Sequence, residues 1–87
     1  MDPAACLTIA IDPTADPLDR LNARRDYAAW IERGGAPTDV RVWSDRVFGV
    51  PAVLAVTKIG TKRLHGTFHA QLCAWRGSVP FSRLVDA

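Results

Sequence analysis

Five polar side chains recur at every second position of one segment, and their types and spacing suit chemistry better than any others in the chain. They are Arg63, His65, Thr67, His69 and Gln71. Residues two apart in a β-strand project from the same face, so all five would line one surface. Arginine contacts phosphates through its planar fork, and aromatic rings stack on bases. A nucleic-acid-binding face is therefore one hypothesis, and its residues would be Arg41, Trp43, Arg63, His65 and His69.

The two histidines do not predict a metal site or a catalytic centre. His65 and His69 are four strand residues apart, which is ~13 Å of rise, whereas zinc binds each imidazole at ~2.1 Å. Cys73 with His69 is the one nucleophile–base pair on a shared face. These two residues are also four strand positions apart, too far for a hydrogen bond. A ribonuclease-like enzyme with His65 or His69 as its base is a third hypothesis, without supporting spacing. We expect no metal, no cofactor and no enzymatic activity.

A helix provides the second candidate surface, and it is the surface that the sequence favours. Tyr27 and Trp30 lie on a broad, interrupted apolar face, and Arg20 and Arg24 project between its stripes. Tyrosine, tryptophan and arginine dominate the energetics of protein interfaces. These four residues would anchor a partner, with Trp43 next in importance. The alternative is a wide stripe facing the core, with arginine stems lying along it and their charged heads in water.

The favoured function follows from the size of the chain and from its lack of an active site. A chain of 87 residues without catalytic groups must act mainly by occupying a surface. We therefore predict a non-enzymatic protein-binding module, such as a small inhibitor or adaptor of the kind that phages and mobile elements encode. A nucleic-acid-binding module is the alternative. The basic groups around Trp75-Arg76-Gly77 and Lys62-Arg63 would also suit an acidic partner, or are simply solvated.

Periodicity predicts the elements that position these residues. Leu7, Ile9 and Ile11 alternate and predict a strand, and Asp16-Pro17 predicts the start of a helix that runs to about Arg33. Strands are predicted over 40–43, 52–59 and 64–74, with turns at 44–46 and 77–80 and a short terminal segment over 81–85. The prediction is one α+β domain over 1–87, in β-α-β-β-β order, with one helix packed on a mainly antiparallel sheet.

Composition and cysteine content narrow the class of protein further. Hydrophobic residues make up 48% and charged residues 23% of the chain, which is typical of a globular domain. The net charge of +2 does not by itself demand a nucleic-acid partner. Two cysteines, Cys6 and Cys73, predict free thiols in a reducing cytoplasm, although a bridge is open if the first strand lies beside the fourth. No segment predicts a signal peptide or a membrane span, and a homodimer is left open.

Overall fold

Two helices pack on one face of a four-stranded antiparallel sheet in the computed structural model, which describes residues 2–43 and 51–85. The elements are α1 (Pro3–Ile11), α2 (Pro17–Glu32), β1 (Thr38–Val42), β2 (Ala52–Ile59), β3 (Arg63–Ala70), β4 (Cys73–Pro80) and a 3₁₀ turn (Phe81–Arg83). The strands lie in the order β1-β2-β3-β4. The predicted α+β class with an antiparallel sheet is confirmed. The turn predicted at 44–46 lies outside the described residues.

The strand predicted at the N-terminus is wrong, because residues 3–11 form helix α1. Asp2 caps this helix, since its Oδ1 accepts a hydrogen bond from the Ala4 N–H at 3.0 Å, and Pro3 occupies the first turn. The hydroxyl of Thr8 donates to the Ala4 carbonyl at 3.0 Å, within the helix. The buried residues Cys6, Leu7 and Ala10 follow helical spacing. The observed order is therefore α-α-β-β-β-β.

Helix α2 forms where the sequence predicts it. Asp16 is the N-cap, and its Oδ1 accepts a hydrogen bond from the Leu18 N–H at 2.8 Å. Pro17 occupies the first helical position, which suits its fixed φ angle. Gly34 follows the helix with a φ of 85°, a left-handed conformation that glycine adopts cheaply. Local capping chemistry therefore sets both ends of α2.

The long strand predicted over 64–74 is two strands joined by a tight turn. Strand β3 ends at Ala70, which pairs with Cys73 at the start of β4. Gln71 and Leu72 form the turn, and Gln71 has a left-handed φ of 46°. Leu72 at the tip is fully exposed. The turn predicted over 77–80 is also wrong, because these residues complete strand β4.

The segment after β4 crosses back to β1 and covers the edge of β1 that faces away from β2. The Trp43 N–H donates to the Arg83 carbonyl at 2.8 Å, and the Val85 N–H donates to the Arg41 carbonyl at 2.9 Å. Val42 and Leu84 form an antiparallel bridge between these two bonds. The sheet therefore curls towards closure, and within the described strands β4 keeps an edge that no other strand pairs with.

The two cysteines are free, and they lie in different surroundings. Cys6 is 7% exposed on α1. Burial, with the carboxylates of Asp26 and Asp2 as smaller causes, raises the pKa of its thiol. Cys73 is exposed at the start of β4. The alternative of a Cys6–Cys73 bridge required a first strand beside the fourth. Residues 3–11 form a helix instead, so that requirement is not met.

This contrast predicts two rates of thiol labelling. A raised pKa means less thiolate at pH 8, so a disulfide reagent should label one thiol per native chain quickly and the second only after unfolding. The measurement is the time course of thionitrobenzoate release, with Cys73→Ser as the control that should remove the fast phase. Equal rates for both thiols, or a fast phase retained in Cys73→Ser, would contradict the burial of Cys6.

Among residues 2–43 and 51–85, no helix is long and apolar enough to cross a membrane.

Candidate functional site

Tyr27, which the sequence suggests as a partner anchor, is a core residue. Its side chain is 0% exposed. The hydroxyl donates to the Val56 carbonyl at 2.5 Å and accepts from the Thr38 N–H at 2.9 Å. Tyr27 therefore joins α2 to strands β1 and β2 and has no surface to offer a partner. A buried tyrosine needs partners for its hydroxyl, and this one finds them on the backbone.

The other anchors predicted on α2 are half-buried, and two of them make bonds within the helical layer. The Arg20 Nε donates to the Ala10 carbonyl at 3.2 Å and so links α2 to α1. The Trp30 Nε1 donates to the Ala36 carbonyl at 2.9 Å, beyond the end of its helix. Arg24 is half-buried as well. Arg20 and Trp30 therefore hydrogen-bond within the molecule, as the core-facing alternative for this helix predicts.

The sheet brings the basic residues of the nucleic-acid hypothesis, but not Trp43, onto one face, away from the helices. Arg41 pairs with Val53, and Val53 pairs with His69, so Arg41 and His69 lie on either side of Val53. A β-bulge in β2 places Lys58 opposite His65. We call this surface the basic face, and it consists of Arg41, Lys58, Arg63, His65, His69 and Arg76. One acidic residue, Asp39, lies on the same side among the described residues.

Lys58 and Arg76 are members of the basic face that the sequence prediction missed. The bulge between Val56 and Lys58 shifts the register, and the spacing of residues along β2 does not reveal that shift. Arg76 reaches the face because β4 turns back beside β3 and pairs it with Thr67. The Trp75-Arg76-Gly77 motif, whose arginine the sequence suggests as a contact for an acidic partner or a solvated charge, lies within β4.

A groove of about 480 Å³ lies along β4, and its lining comes from both sides of the sheet. We call it the β4 groove, and its lining residues are Trp43, Arg63, Phe68, Trp75, Arg76, Gly77, Ser78, Val79, Pro80 and Arg83. Phe68 and Trp75 lie on the side that faces the helices, whereas Arg76 lies on the side of the basic face. A shallower cleft of about 290 Å³ on the basic face shares Arg76 and Gly77 with it. The described lining of the groove contains three arginines and no acidic residue. The surface thus combines positive charge with aromatic rings.

Three side chains give the β4 groove its shape. The rings of Phe68 and Trp75 are stacked, with centroids 5.2 Å apart and planes 11° from parallel. Trp43 is 46% exposed, and its backbone is fixed by the bond to Arg83. Offset stacking of this kind is favourable for aromatic pairs. The groove therefore has a rigid aromatic wall and one tryptophan that is open to solvent.

Arg63 is held in place at the end of β3. Its Nε donates to the Ser78 hydroxyl at 3.0 Å, and its Nη2 donates to the Ser78 carbonyl at 3.2 Å. The side chain is nevertheless exposed. A guanidinium has five N–H donors in a planar fork, so donors remain for an external anion. Because the side chain is already oriented, binding would cost it less conformational entropy.

Formal charge is distributed unevenly along the sequence. Before position 38, where the two helices lie, the sequence has six acidic and four basic residues. From position 38 onward it has three acidic and seven basic residues. The formal charges are therefore −2 and +4 at pH 7, with histidine neutral. The modest net charge of +2 hides this difference.

Two arrangements considered for the histidines, a nucleophile–base pair with Cys73 and a metal-binding cluster, are not formed by the described residues. The register places Cys73 opposite Ala70, on the side of the sheet away from His69, so the nucleophile–base pair considered from the sequence does not share a face. No group of three or more His, Cys, Asp or Glu residues lies together in the part of the chain that the structure describes. His65 and His69 remain available as polar members of the basic face.

No protein-family model matches the chain, and no curated protein or solved structure matches it either. Its function is therefore inferred from the residues and their geometry.

Proposed function

We propose that this protein is a nucleic-acid-binding module that uses the basic face and the β4 groove. The observation that carries the proposal is the separation of charge, which gives the strand-bearing half +4 and the helical half −2. A clustered basic surface is the electrostatic mark of nucleic-acid binding. The basic residues from all four strands lie on one face because of the register.

The aromatic side chains support a nucleic acid over other anions. Trp43 and Trp75 line a groove that also contains Arg63 and Arg76. Bases stack on aromatic rings and phosphates pair with arginine, so a strand of nucleic acid matches both components. A simple inorganic anion would use only the arginines.

A protein partner remains the second proposal, and a different surface supports it. Ile9 is 41% exposed and Leu18 is 63% exposed, both on the helical layer. Contiguous exposed apolar surface marks protein-interaction sites, and an inhibitor or adaptor could use these side chains as part of such a surface. The anchors predicted for that role are less suitable, because Tyr27 is buried and Trp30 bonds to Ala36.

The test is the salt dependence of binding to an oligonucleotide of about 16 nucleotides, followed by fluorescence anisotropy between about 50 mM and about 200 mM salt. We expect affinity to fall steeply with salt, because bound protein displaces counterions from the phosphates. The double variant Arg41→Gln/Arg76→Gln should reduce the slope of log affinity against log salt by about 1 for each lost contact.

A matched control removes the same charge from the helical layer. Arg25 and Arg33 are both exposed there, and Arg25→Gln/Arg33→Gln should leave the slope unchanged. An equal loss in the two double variants would reject the basic face as the binding surface. Absence of binding, or equal displacement by poly-L-glutamate, would reject the nucleic-acid proposal and favour a protein partner instead.

A further inference from the structure

We infer, building on the proposed function, that the β4 groove is a binding site for an unpaired nucleobase and that the module therefore prefers single-stranded nucleic acid. In this site Trp43 and Trp75 stack on the bases, and Arg63 binds the adjoining phosphate. The groove volume of about 480 Å³ lies within the range of sites that take small organic groups.

Trp43 is the stacking residue that is most accessible. It is 46% exposed although it is one of the largest apolar side chains in the protein. Its backbone N–H donates to the Arg83 carbonyl at 2.8 Å, which holds the residue where β1 meets the C-terminal segment. An indole that is exposed on a fixed backbone offers a flat surface with little conformational freedom to lose.

Trp75 differs from Trp43 because its ring is already stacked on another ring. It lies parallel to Phe68, with 11° between the planes. A base placed in the groove can extend this pair. Gly77 keeps space beside the rings, because a β-carbon at this position would lie 3.0 Å from Cε2 of Phe68. A larger residue there would crowd the groove.

Arg63 can bind a phosphate without being reoriented. Ser78 fixes its Nε and Nη2 at 3.0 and 3.2 Å, and the remaining N–H groups can donate to phosphate oxygens. Arg76 joins the groove to the basic face, since it lines both clefts. A nucleic-acid strand whose base stacks on Trp75 on one side of the sheet can therefore pass β4 at Arg76 and reach the basic face on the other side.

Duplex nucleic acid fits this arrangement less well. In a duplex the bases are stacked on one another, and proteins reach their edges by placing a helix or a strand ribbon in the major groove. Neither described helix has a net positive charge, since α1 has no charged side chain and α2 has three acidic and three basic ones, so neither offers the phosphates a basic surface. A concave aromatic groove requires a base that is free to leave its stack, and single strands meet that requirement.

The test compares a labelled single strand with the duplex of the same sequence, at one low salt concentration, by fluorescence anisotropy. We expect the wild-type protein to bind the single strand about tenfold more tightly. Trp43→Leu should lower single-strand affinity by about tenfold, because base stacking is lost, and should lower duplex affinity less, so that the preference for the single strand falls. Trp43→Phe should restore most of the preference. Leu18→Ala, which removes an exposed apolar side chain from the helical layer, is the matched control.

A second variant protects the test if Trp43→Leu fails to fold, as judged by circular dichroism. Gly77→Ala narrows the groove beside Phe68 and should also reduce the preference for the single strand. Equal salt-sensitive binding of both forms by the wild-type protein would overturn this inference and leave the proposed function standing. Binding of neither form would overturn the proposed function itself.

Discussion

A Gly66→Val variant should fail to fold under conditions where the wild-type protein is native. A β-carbon at position 66 would collide with the Ala55 carbonyl oxygen and would lie 3.2 Å from the Thr57 nitrogen. Both neighbours are backbone atoms of β2, next to the bulge between Val56 and Lys58, so they cannot rotate away. We expect destabilisation of about 4 kcal/mol or more, against a total of about 5–15 kcal/mol for typical domains.

Urea unfolding followed by circular dichroism measures this loss, and the neighbouring strand offers a matched control. Gly77 pairs directly with Gly66, but a β-carbon there would meet a side chain, Phe68, at 3.0 Å. Gly77→Val should therefore cost less than half as much. Valine otherwise favours strands, so strand propensity alone predicts that both variants are stabilised. Wild-type stability in Gly66→Val would show that the β2–β3 register is wrong.

Tyr27→Phe should lower the free energy of unfolding by about 1–3 kcal/mol, the cost of leaving buried polar groups unsatisfied. Phenylalanine keeps the ring in the core and removes only the hydroxyl. The Val56 carbonyl then loses its donor, and the Thr38 N–H loses its acceptor. Urea unfolding would show a lower midpoint with an unchanged m-value.

The hydroxyl of Thr8 provides the comparison for Tyr27. It donates to the Ala4 carbonyl at an exposed position on α1, so Thr8→Val should change stability by less than about 0.5 kcal/mol. If Tyr27→Phe cost no more than Thr8→Val, the Tyr27 hydroxyl would not be joining α2 to the two strands.

Local signals explain which helix the sequence predicts and which it conceals. Asp16-Pro17 precedes a long segment, and its capping chemistry identifies α2. Asp2-Pro3 is the same signal for α1. The short alternation of Leu7, Ile9 and Ile11 conceals this signal, because a period of two over five residues also suits a strand. The capping pair is the better guide in this case, since it has a direct hydrogen-bonding role.

The turn between β3 and β4 has almost no local signal. Gln71 and Leu72 are not the glycine, asparagine or proline that tight turns favour, yet Gln71 adopts the left-handed conformation. The pairing of residues 83–85 with β1 is likewise invisible locally, because it depends on contacts between distant segments. In both places the conformation is set by tertiary contacts, because the local sequence has only a weak preference.

The candidate site is predictable where it depends on alternation within one strand. Arg63, His65 and His69 share a face because β3 is regular between them. The position of Arg41 beside them depends on register, which the sequence does not specify. Residue type also could not separate Tyr27 in the core from Trp43 at the surface, since aromatic side chains suit both places.

The uneven distribution of charge also has a consequence for the rate of association. A molecule with +4 on one half and −2 on the other is an electric dipole, and a polyanion exerts a torque on it before contact. The sheet would turn towards the polyanion during diffusion, which increases the fraction of collisions that are productive. Salt screens steering of this kind at distances beyond the Debye length, which is about 8 Å at physiological ionic strength. Rapid capture at low salt would therefore give way to slower, less oriented encounters as salt rises.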